Sequence, residues 1–268
     1  TFKQFTIKNC KVKNKFEFRS NEGESFEVTN TNFEKHTDFY NSAIQYLKFN
    51  TCVVESFSSE ECTFGERLNN ELQPVNFEYV TFKSLATFRG SKFFSGLNLD
   101  RANFNDHPNF LNCEVIIDNT TSETFRIIKN SFDQVGNYTE GNKYFAKESE
   151  KLRGEGKWYY PSKFILFFNF ITSNFGQFFW LPVLWLIYVS YFYYYVAFKV
   201  GREAILSFIE SSKCLLMIHK FSNNLTNLIF RNNDFIVKDF EFLSLIIYIL
   251  YASLLWQTIV AIKRHTKR

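Results

Sequence analysis

Large apolar residues in the first part of the chain recur at every fifth or sixth position. From residue 77 onward the steps alternate between five and six, through Phe77, Phe82, Phe88, Phe93, Leu99, Phe104, Phe110 and Val115. An α-helix repeats its apolar face about every 3.6 residues and a β-strand about every 2 residues. Neither element can bury this series on one face, so the spacing predicts a chain that turns a corner after each short segment.

The same step occurs earlier in the chain, and a column of smaller residues lies two positions before the large ones. Steps of five connect Phe39, Ile44, Phe49, Val54, Ser59 and Phe64. The smaller column contains Cys10, Cys52, Cys62, Val80, Ser91, Ala102 and Cys113. Two inward positions in every five predict a β-solenoid, in which each coil buries its apolar side chains against its neighbours. A phenylalanine-rich sheet domain that has this spacing by chance is the alternative.

Four aligned segments, FEYVTF, FRGSKF, LDRANF and FLNCEV, carry a resemblance to a known family. They resemble the repeats of the bacterial pentapeptide-repeat proteins, and the resemblance extends over residues 1–117. It implies a right-handed quadrilateral β-helix. We expect successive eleven-residue units to stack, with Phe93 against Phe104. Loops or broken coils are expected in residues 13–36 and 65–76, where the spacing is lost.

A helical hairpin is predicted after the repeats, over residues 118–156. Its first helix has a capping residue, apolar residues three or four positions apart and a terminal glycine: Thr121 or Ser122, then Phe125, Ile128, Phe132, Val135 and Gly136. A second helix from residue 139 to 153 would bury Tyr144 and Phe145. We expect the hairpin to cover the open end of the solenoid. The segment is also similar to the one that follows the repeats in a membrane-bound subgroup of the family.

Two long uncharged runs predict an α-helical membrane domain with two spans. One helix over residues 164–198 would be about 50 Å long at ~1.5 Å per residue, so the sequence TSNFGQ should divide it. The predicted segments are an interfacial helix and turn at 157–177, a first span at 178–198, an external loop, amphipathic or re-entrant, at 199–241, a second span at 242–262 and a basic tail at 263–268. A soluble pair of buried helices is the alternative.

Charge is distributed unevenly between the two halves of the chain. Residues 1–150 contain 17 Lys and Arg against 21 Asp and Glu, whereas residues 151–268 contain 14 against 6. Because the basic residues of the second half flank apolar runs, they favour an anionic lipid surface as partner, and nucleic-acid binding is not expected. Basic residues crowd the end of the second run, which predicts a cytoplasmic C-terminus and a cytoplasmic solenoid.

Together with the resemblance, this orientation implies the bacterial inner membrane. The chain opens on Thr1 and its only methionine is Met217, so we expect that residues precede Thr1 in the full-length protein. Unpaired buried cysteines are typical of a reducing compartment.

The residues that usually carry chemistry are scattered. The four histidines, His36, His107, His219 and His265, have no spacing typical of metal ligands or of a base beside a nucleophile. The sequence contains no C-x-x-C pair and no phosphate-binding loop. We therefore expect no catalytic site, no cofactor and no metal.

Two functions are consistent with this organisation. Some members of the similar subgroup are taken to be two-helix channel-like proteins, which implies a homo-oligomeric pore with a solenoid for sensing or assembly. The hydroxyl stripe of the second span is the candidate pore lining, namely Ser244, Tyr248, Tyr251 and Thr258, and the opposite residues Ser253 and Gln257 are assigned to helix packing. The alternative is a non-conducting, membrane-tethered scaffold whose solenoid binds a cytoplasmic protein.

Overall fold

The computed structural model of the protein describes residues 1–65, 73–155, 160–195, 201–229 and 240–266. These residues form two compact units, one from Thr1 to Leu166 and one from Phe167 to Thr266. The chain forms a β-solenoid of about 5 turns that is followed by helices. The solenoid predicted from the spacing of the apolar residues is therefore confirmed.

The solenoid is built from short strands, because the chain bends again after each inward-facing segment. In chain order the strands of the described residues are β1 Phe2–Lys8, β2 Lys11–Val12, β3 Phe16–Glu17, β4 Glu22–Thr29, β5 Asn32–Asp38, β6 Ala43–Asn50, β7 Val53–Ser58, β8 Thr63–Phe64, β9 Val75–Asn76, β10 Thr81–Phe82, β11 Ala86–Thr87, β12 Lys92–Phe93, β13 Leu97–Asn98, β14 Asn103–Phe104 and β15 Glu114–Val115.

Strands of successive turns pair in parallel, and their register gives the length of one turn. Phe2 in β1 pairs with Gly23 in β4, and Gly23 pairs in turn with Ile44 in β6. Near the other end, Phe82 in β10 pairs with Phe104 in β14, which lies two repeat units further along the chain. The eleven-residue unit of the sequence is therefore half a turn.

The expected contact between Phe93 and Phe104 is wrong for this reason. Half a turn carries the chain to the other sheet, so β12 with Phe93 and β14 with Phe104 belong to different sheets. Phe104 instead stacks on Phe82 with ring centroids 4.8 Å apart, and Phe93 stacks on Phe64 at 5.1 Å. Each ring thus packs on the ring that lies one full turn away.

Residues 13–36 differ from the expected loops, because they contain β3, β4 and most of β5. The spacing is hidden in the sequence by Gly23, which occupies an inward position between Phe2 and Ile44. A Cβ atom at Gly23 would lie 2.0 Å from the Phe2 ring. The Phe2 ring fills the space that a side chain at residue 23 would occupy. The series of large residues in the sequence is therefore interrupted at Gly23, although the solenoid turn itself continues.

The second irregular segment coincides with a change in the length of a turn. The turn that leads from Ile44 to its partner Phe64 is shorter than the turn that leads from Val54 to its partner Phe82. The additional residues fall within 65–76, and residues 66–72 of that segment lie outside the described part of the chain.

The core of the solenoid contains the predicted apolar residues. All eight positions from Phe77 to Val115 are fully buried except Phe104, which is half-buried. The earlier series is also buried, including the polar Ser59. The smaller column is inward as expected at Cys52 and Cys62, but Cys10, which lies in the first turn, is exposed.

The helices of the described residues are α1 Ser122–Gln134, α2 Tyr138–Gly154, α3 Pro161–Ser173, α4 Trp180–Tyr194, α5 Gly201–Glu210, α6 Lys213–Ile229 and α7 Glu241–Thr266. The predicted hairpin is present as α1 and α2. Thr121 caps α1, since its side chain accepts a hydrogen bond from the Thr124 N–H. Val135, which is predicted on the buried face of α1, is 68% exposed, because it lies beyond the last helical residue.

The helical second part differs from the expected pair of spans. Within the described residues one helix, Glu241–Arg264, is long and apolar enough to cross a membrane. The predicted first span is represented by α4, which is 15 residues long, and residues 196–198 of that span lie outside the described residues. The predicted break at 172–177 is present, since α3 ends at Ser173 and α4 begins at Trp180. Trp158 and Tyr159 of the predicted interfacial segment lie outside the described residues.

Candidate functional site

The hairpin closes one end of the solenoid by binding its backbone carbonyls. The Tyr144 hydroxyl donates to Cys113 O at 3.0 Å, Lys147 Nζ donates to Val115 O at 2.7 Å, and Lys151 Nζ donates to Asp118 O at 2.6 Å. Burial lowers the pKa of Lys147, whose ammonium group lies 5.1 Å from the centre of the Tyr144 ring. The carbonyls of the last turn have no further strand to bond with, and side chains of α2 donate hydrogen bonds to them instead.

Thr120, just before α1, and Thr124 in its first turn satisfy backbone N–H groups at the same end. The N–H of Leu97 donates to Thr120 Oγ1 at 3.0 Å, and the N–H of Leu99 donates to Thr124 Oγ1 at 2.9 Å. Phe125, Ile128 and Phe132 belong to the same buried cluster as the solenoid core. The expectation that the hairpin covers this end of the solenoid agrees with these contacts.

In the second unit, α7 presents a seam of residues at alternating steps of three and four. The seam consists of Ser244, Ile247, Tyr251, Leu254, Thr258 and Ala261. Ser244, Ile247, Leu254 and Ala261 are buried. The Ser244 and Tyr193 hydroxyls are 2.9 Å apart, and the Tyr251 hydroxyl donates to Ser190 Oγ. This face of α7 therefore packs against α4.

The stripe predicted to line a pore largely coincides with this seam. Ser244 and Tyr251 are engaged by α4, and Thr258 Oγ1 donates to the carbonyl of Leu254 on its own helix at 2.9 Å. Tyr248 is the exposed member of the stripe. The sequence shows that hydroxyl groups share a face, but their partners within the chain are visible only in the tertiary structure.

Gln257 and Ser253, both assigned to helix packing from the sequence, differ in their hydrogen bonds. Gln257 Nε2 donates to Asn169 Oδ1 at 2.6 Å, and Gln257 Oε1 accepts from Ser173 Oγ at 3.1 Å. Gln257 thus joins α7 to α3. Ser253 Oγ donates to Leu250 O of its own helix at 2.8 Å.

Arg264 has a structural role that the sequence does not reveal. Asn174, Phe175 and Gly176 have positive φ angles after the end of α3, and the Arg264 guanidinium donates to Phe175 O. A Cβ atom at Gly176 would lie 2.8 Å from Arg264 Nη1. In the sequence Arg264 is one member of a basic tail, whereas in the structure it binds the turn between α3 and α4.

The faces of α4 and α7 that point away from the seam are apolar and exposed. On α7 they include Ile249, Leu255, Trp256 and Ile259, and on α4 they include Trp180, Leu184, Ile187, Tyr188 and Tyr191. A continuous apolar surface of this kind is unusual on a protein surrounded by water. Hydrocarbon is a suitable environment for these faces, since the polar groups of the seam find their partners inside the unit.

The solenoid exposes an aromatic residue in a conformation that favours glycine or asparagine. One corner of successive turns has positive φ angles at Asn9, Asn30, Thr51, Tyr79 and Arg101. Tyr79 is 46% exposed, and Arg101 lies over its ring at 4.9 Å. Tyrosine and arginine are among the residues that most often anchor protein contacts. The pair is not visible in the sequence, because its members are separated by a full turn of chain.

The thiols of Cys62, which is fully buried, and of Cys113, which is half-buried, are protected from reaction. Burial raises the pKa of Cys62 and of Cys113 to about 12, and the thiol of Cys113 donates to Phe88 O at 2.7 Å. Cys10 and Cys214 are exposed. Within the described ranges, no three His, Cys, Asp or Glu side chains are placed to hold a metal ion.

Comparison of the chain with known protein families, with curated proteins and with solved structures gives no significant match.

Proposed function

We propose that the protein is a membrane-anchored scaffold whose solenoid binds another protein. The observation that carries this proposal is the division of polar and apolar groups on α7. Ser244, Tyr251 and Gln257 bond within the unit, while the outward faces are apolar. Such a unit fits an anchor in lipid, and the solenoid then supplies the binding surface, with Tyr79 and Arg101 as its anchor pair.

We further propose that the solenoid is of the right-handed quadrilateral type found in pentapeptide-repeat proteins, and that the chain belongs to their membrane-bound subgroup. Within one turn, the chain pairs with the next turn at four positions, which supports the quadrilateral type. The four parallel strand pairs are Phe2 with Gly23, Ile7 with Val28, Val12 with Phe33 and Phe16 with Thr37, and successive pairs are four or five residues apart along the chain. The handedness and the family follow from the resemblance of the repeats.

The proposed location is the bacterial inner membrane, with a first span at 178–198 that includes α4 and a second span at 242–262 within α7. Two spans place the solenoid and the C-terminus on the same side. The excess of Lys and Arg after residue 262 favours the cytoplasm for that side.

A pore formed by several copies is the second candidate, and α4 rather than α7 would line it. Tyr188 and Tyr191 lie on one side of α4, and Tyr195 directly follows its last residue. The three side chains are 59%, 68% and 43% exposed. This stripe is more exposed than the hydroxyl groups of the α7 seam, which are engaged within the unit. A homo-oligomer could surround an aqueous path with these tyrosine hydroxyl groups.

The oligomeric state and the conductance of the purified full chain distinguish the two proposals. The scaffold predicts that the protein resists extraction from membranes by alkaline carbonate and gives no current in a planar bilayer, whatever its oligomeric state. The pore predicts a ring of several copies, with currents whose ion preference changes in Tyr191→Lys. Ile249→Lys, on the exposed face of α7 that points away from α4, is the matched control for the added charge. Recovery of the protein in the carbonate supernatant would contradict both proposals.

A further inference from the structure

An apolar groove is present in the second unit between α5, α6 and the start of α7. Its walls include Ile205 and Ile209 from α5, Leu215 and Ile218 from α6, and Phe242 and Ile246 from α7, and its volume is about 280 Å³. This volume is close to the lower end of small-ligand sites, which begin at roughly 300 Å³. The groove therefore has room for one slender apolar group.

The groove has polar groups on α6, near the first turn of α7. The polar side chains among its described lining residues are those of His219 and Ser222. His219 Nε2 lies 3.2 Å from Asn223 Nδ2, and Asn223 Oδ1 accepts the Phe242 N–H at 3.1 Å. Because the amide group donates to Nε2, the neutral imidazole carries its proton on Nδ1 and can donate from there.

The groove is open on the side where apolar residues are exposed. Ile218 is 57% exposed and Phe242 is 43% exposed, and both contribute to the wall. Phe242 belongs to the first turn of the helix that is long and apolar enough to cross a membrane. Ile246 lies one turn further along α7, about 6 Å deeper at ~1.5 Å per residue. If α7 spans the bilayer, the groove begins at the interface and continues into the apolar layer.

We propose that this groove binds one acyl chain of a bilayer phospholipid, with the ester region of the lipid beside His219 and Ser222. The imidazole Nδ1–H and the Ser222 hydroxyl are donors suited to the ester carbonyl, and the isoleucine and leucine walls match the chain. This inference rests on the proposed membrane anchoring. It adds a defined binding site to a surface that would otherwise only be surrounded by lipid.

The test is native mass spectrometry of the purified full chain in detergent, titrated with 1-palmitoyl-lysophosphatidylcholine as the single-chain probe. We expect one saturable molecule per chain. Ile218→Trp places a large side chain in the groove and should weaken binding by roughly tenfold or more. Met217→Trp adds the same side chain at the neighbouring position, which is 73% exposed and outside the groove, and should leave binding unchanged.

Equal binding by the original chain and by both variants would overturn the proposal, since it would show lipid held without a defined site. Binding of free palmitate in preference to the lysophospholipid would overturn the assignment to a bilayer lipid. Carbonate extraction separates this inference from the anchoring on which it rests. A chain that stays in the membrane but shows no saturable lipid refutes the groove alone, whereas a chain that is extracted refutes the anchoring.

Discussion

Replacing Phe88 by alanine should destabilise the solenoid more than any other single truncation in its last turns. The Phe88 ring is fully buried and is parallel to the Phe110 ring at 4.7 Å. It also packs against Phe57 at 5.5 Å and Phe77 at 5.7 Å. It thus contacts rings of the turns on both sides, and its removal leaves a cavity that the stacked neighbours cannot fill without breaking their own register.

The expected loss in the free energy of unfolding is about 3–5 kcal/mol, the range for a buried phenylalanine cut to alanine. Phe104 provides a matched comparison from the same series. It is half-buried and stacks on Phe82 alone among the ring pairs described, so Phe104→Ala should cost roughly half as much, about 1.5–2.5 kcal/mol. Phe88→Leu, which keeps most of the volume, should fall between the original chain and Phe88→Ala.

Labelling of the buried thiols during a urea titration can measure this loss. Cys62 is fully buried and its pKa is raised to about 12, so it should react only after the solenoid opens. Cys10 and Cys214 are exposed and should react at once, and mass spectrometry of peptides distinguishes the sites. Equal midpoints for Phe88→Ala and Phe104→Ala would refute the assignment of Phe88 to the interior and Phe104 to the margin of the core.

The buried thiols, the turn at Gly176 and the exposed cysteines lead to three further predictions. The pKa values of Cys62 and Cys113 are raised in the folded chain, so only the unfolded chain ionises these thiols between about pH 9 and about pH 12. The solenoid should therefore lose stability as the pH rises through this window. Replacing both cysteines by serine should make the stability, measured by urea titration, less dependent on pH there. Gly176→Ala should lower the thermal midpoint of the helical unit, because the residue has a positive φ and its new Cβ would meet Arg264. Asn174→Gly, at another positive-φ position of the same turn, should not lower it, and equal losses in the two variants would contradict the role of the turn. In intact cells a membrane-impermeant thiol reagent should modify the native Cys214 and spare Cys10 if residues 199–241 are external, and the opposite result would reverse the proposed orientation.

The sequence was sufficient to predict the type of fold because a solenoid uses the same inward positions again in every turn. Steps of five and six cannot be buried by a helix or a strand, and the large residues at those steps are inside. The first helix of the hairpin could also be predicted from the sequence, since a capping residue and apolar residues three or four positions apart lie within one helix, at Thr121, Phe125, Ile128 and Phe132. Patterns that lie within one short segment are thus visible without the tertiary structure.

The sequence did not determine which residues of successive turns stack on one another. Phe93 and Phe104 occupy equivalent places in successive units, but a complete turn takes two such units, which puts the two rings in different sheets. Gly23 interrupts the pattern although its place in the core is filled by Phe2, its pairing partner from the preceding turn. Both outcomes depend on the length of a complete turn, which local spacing does not contain.

The same limit applies to the candidate site. Ser244, Tyr251 and Gln257 are polar residues of one apolar helix, and their sequence positions leave open whether they line a path for ions or bond to neighbouring helices. The tertiary structure places Ser244 against Tyr193, Tyr251 against Ser190 and Gln257 against Asn169. Apolar and polar faces of a helix follow from its own periodicity, but the partner of each face is decided by residues distant in the sequence that only the fold brings into contact.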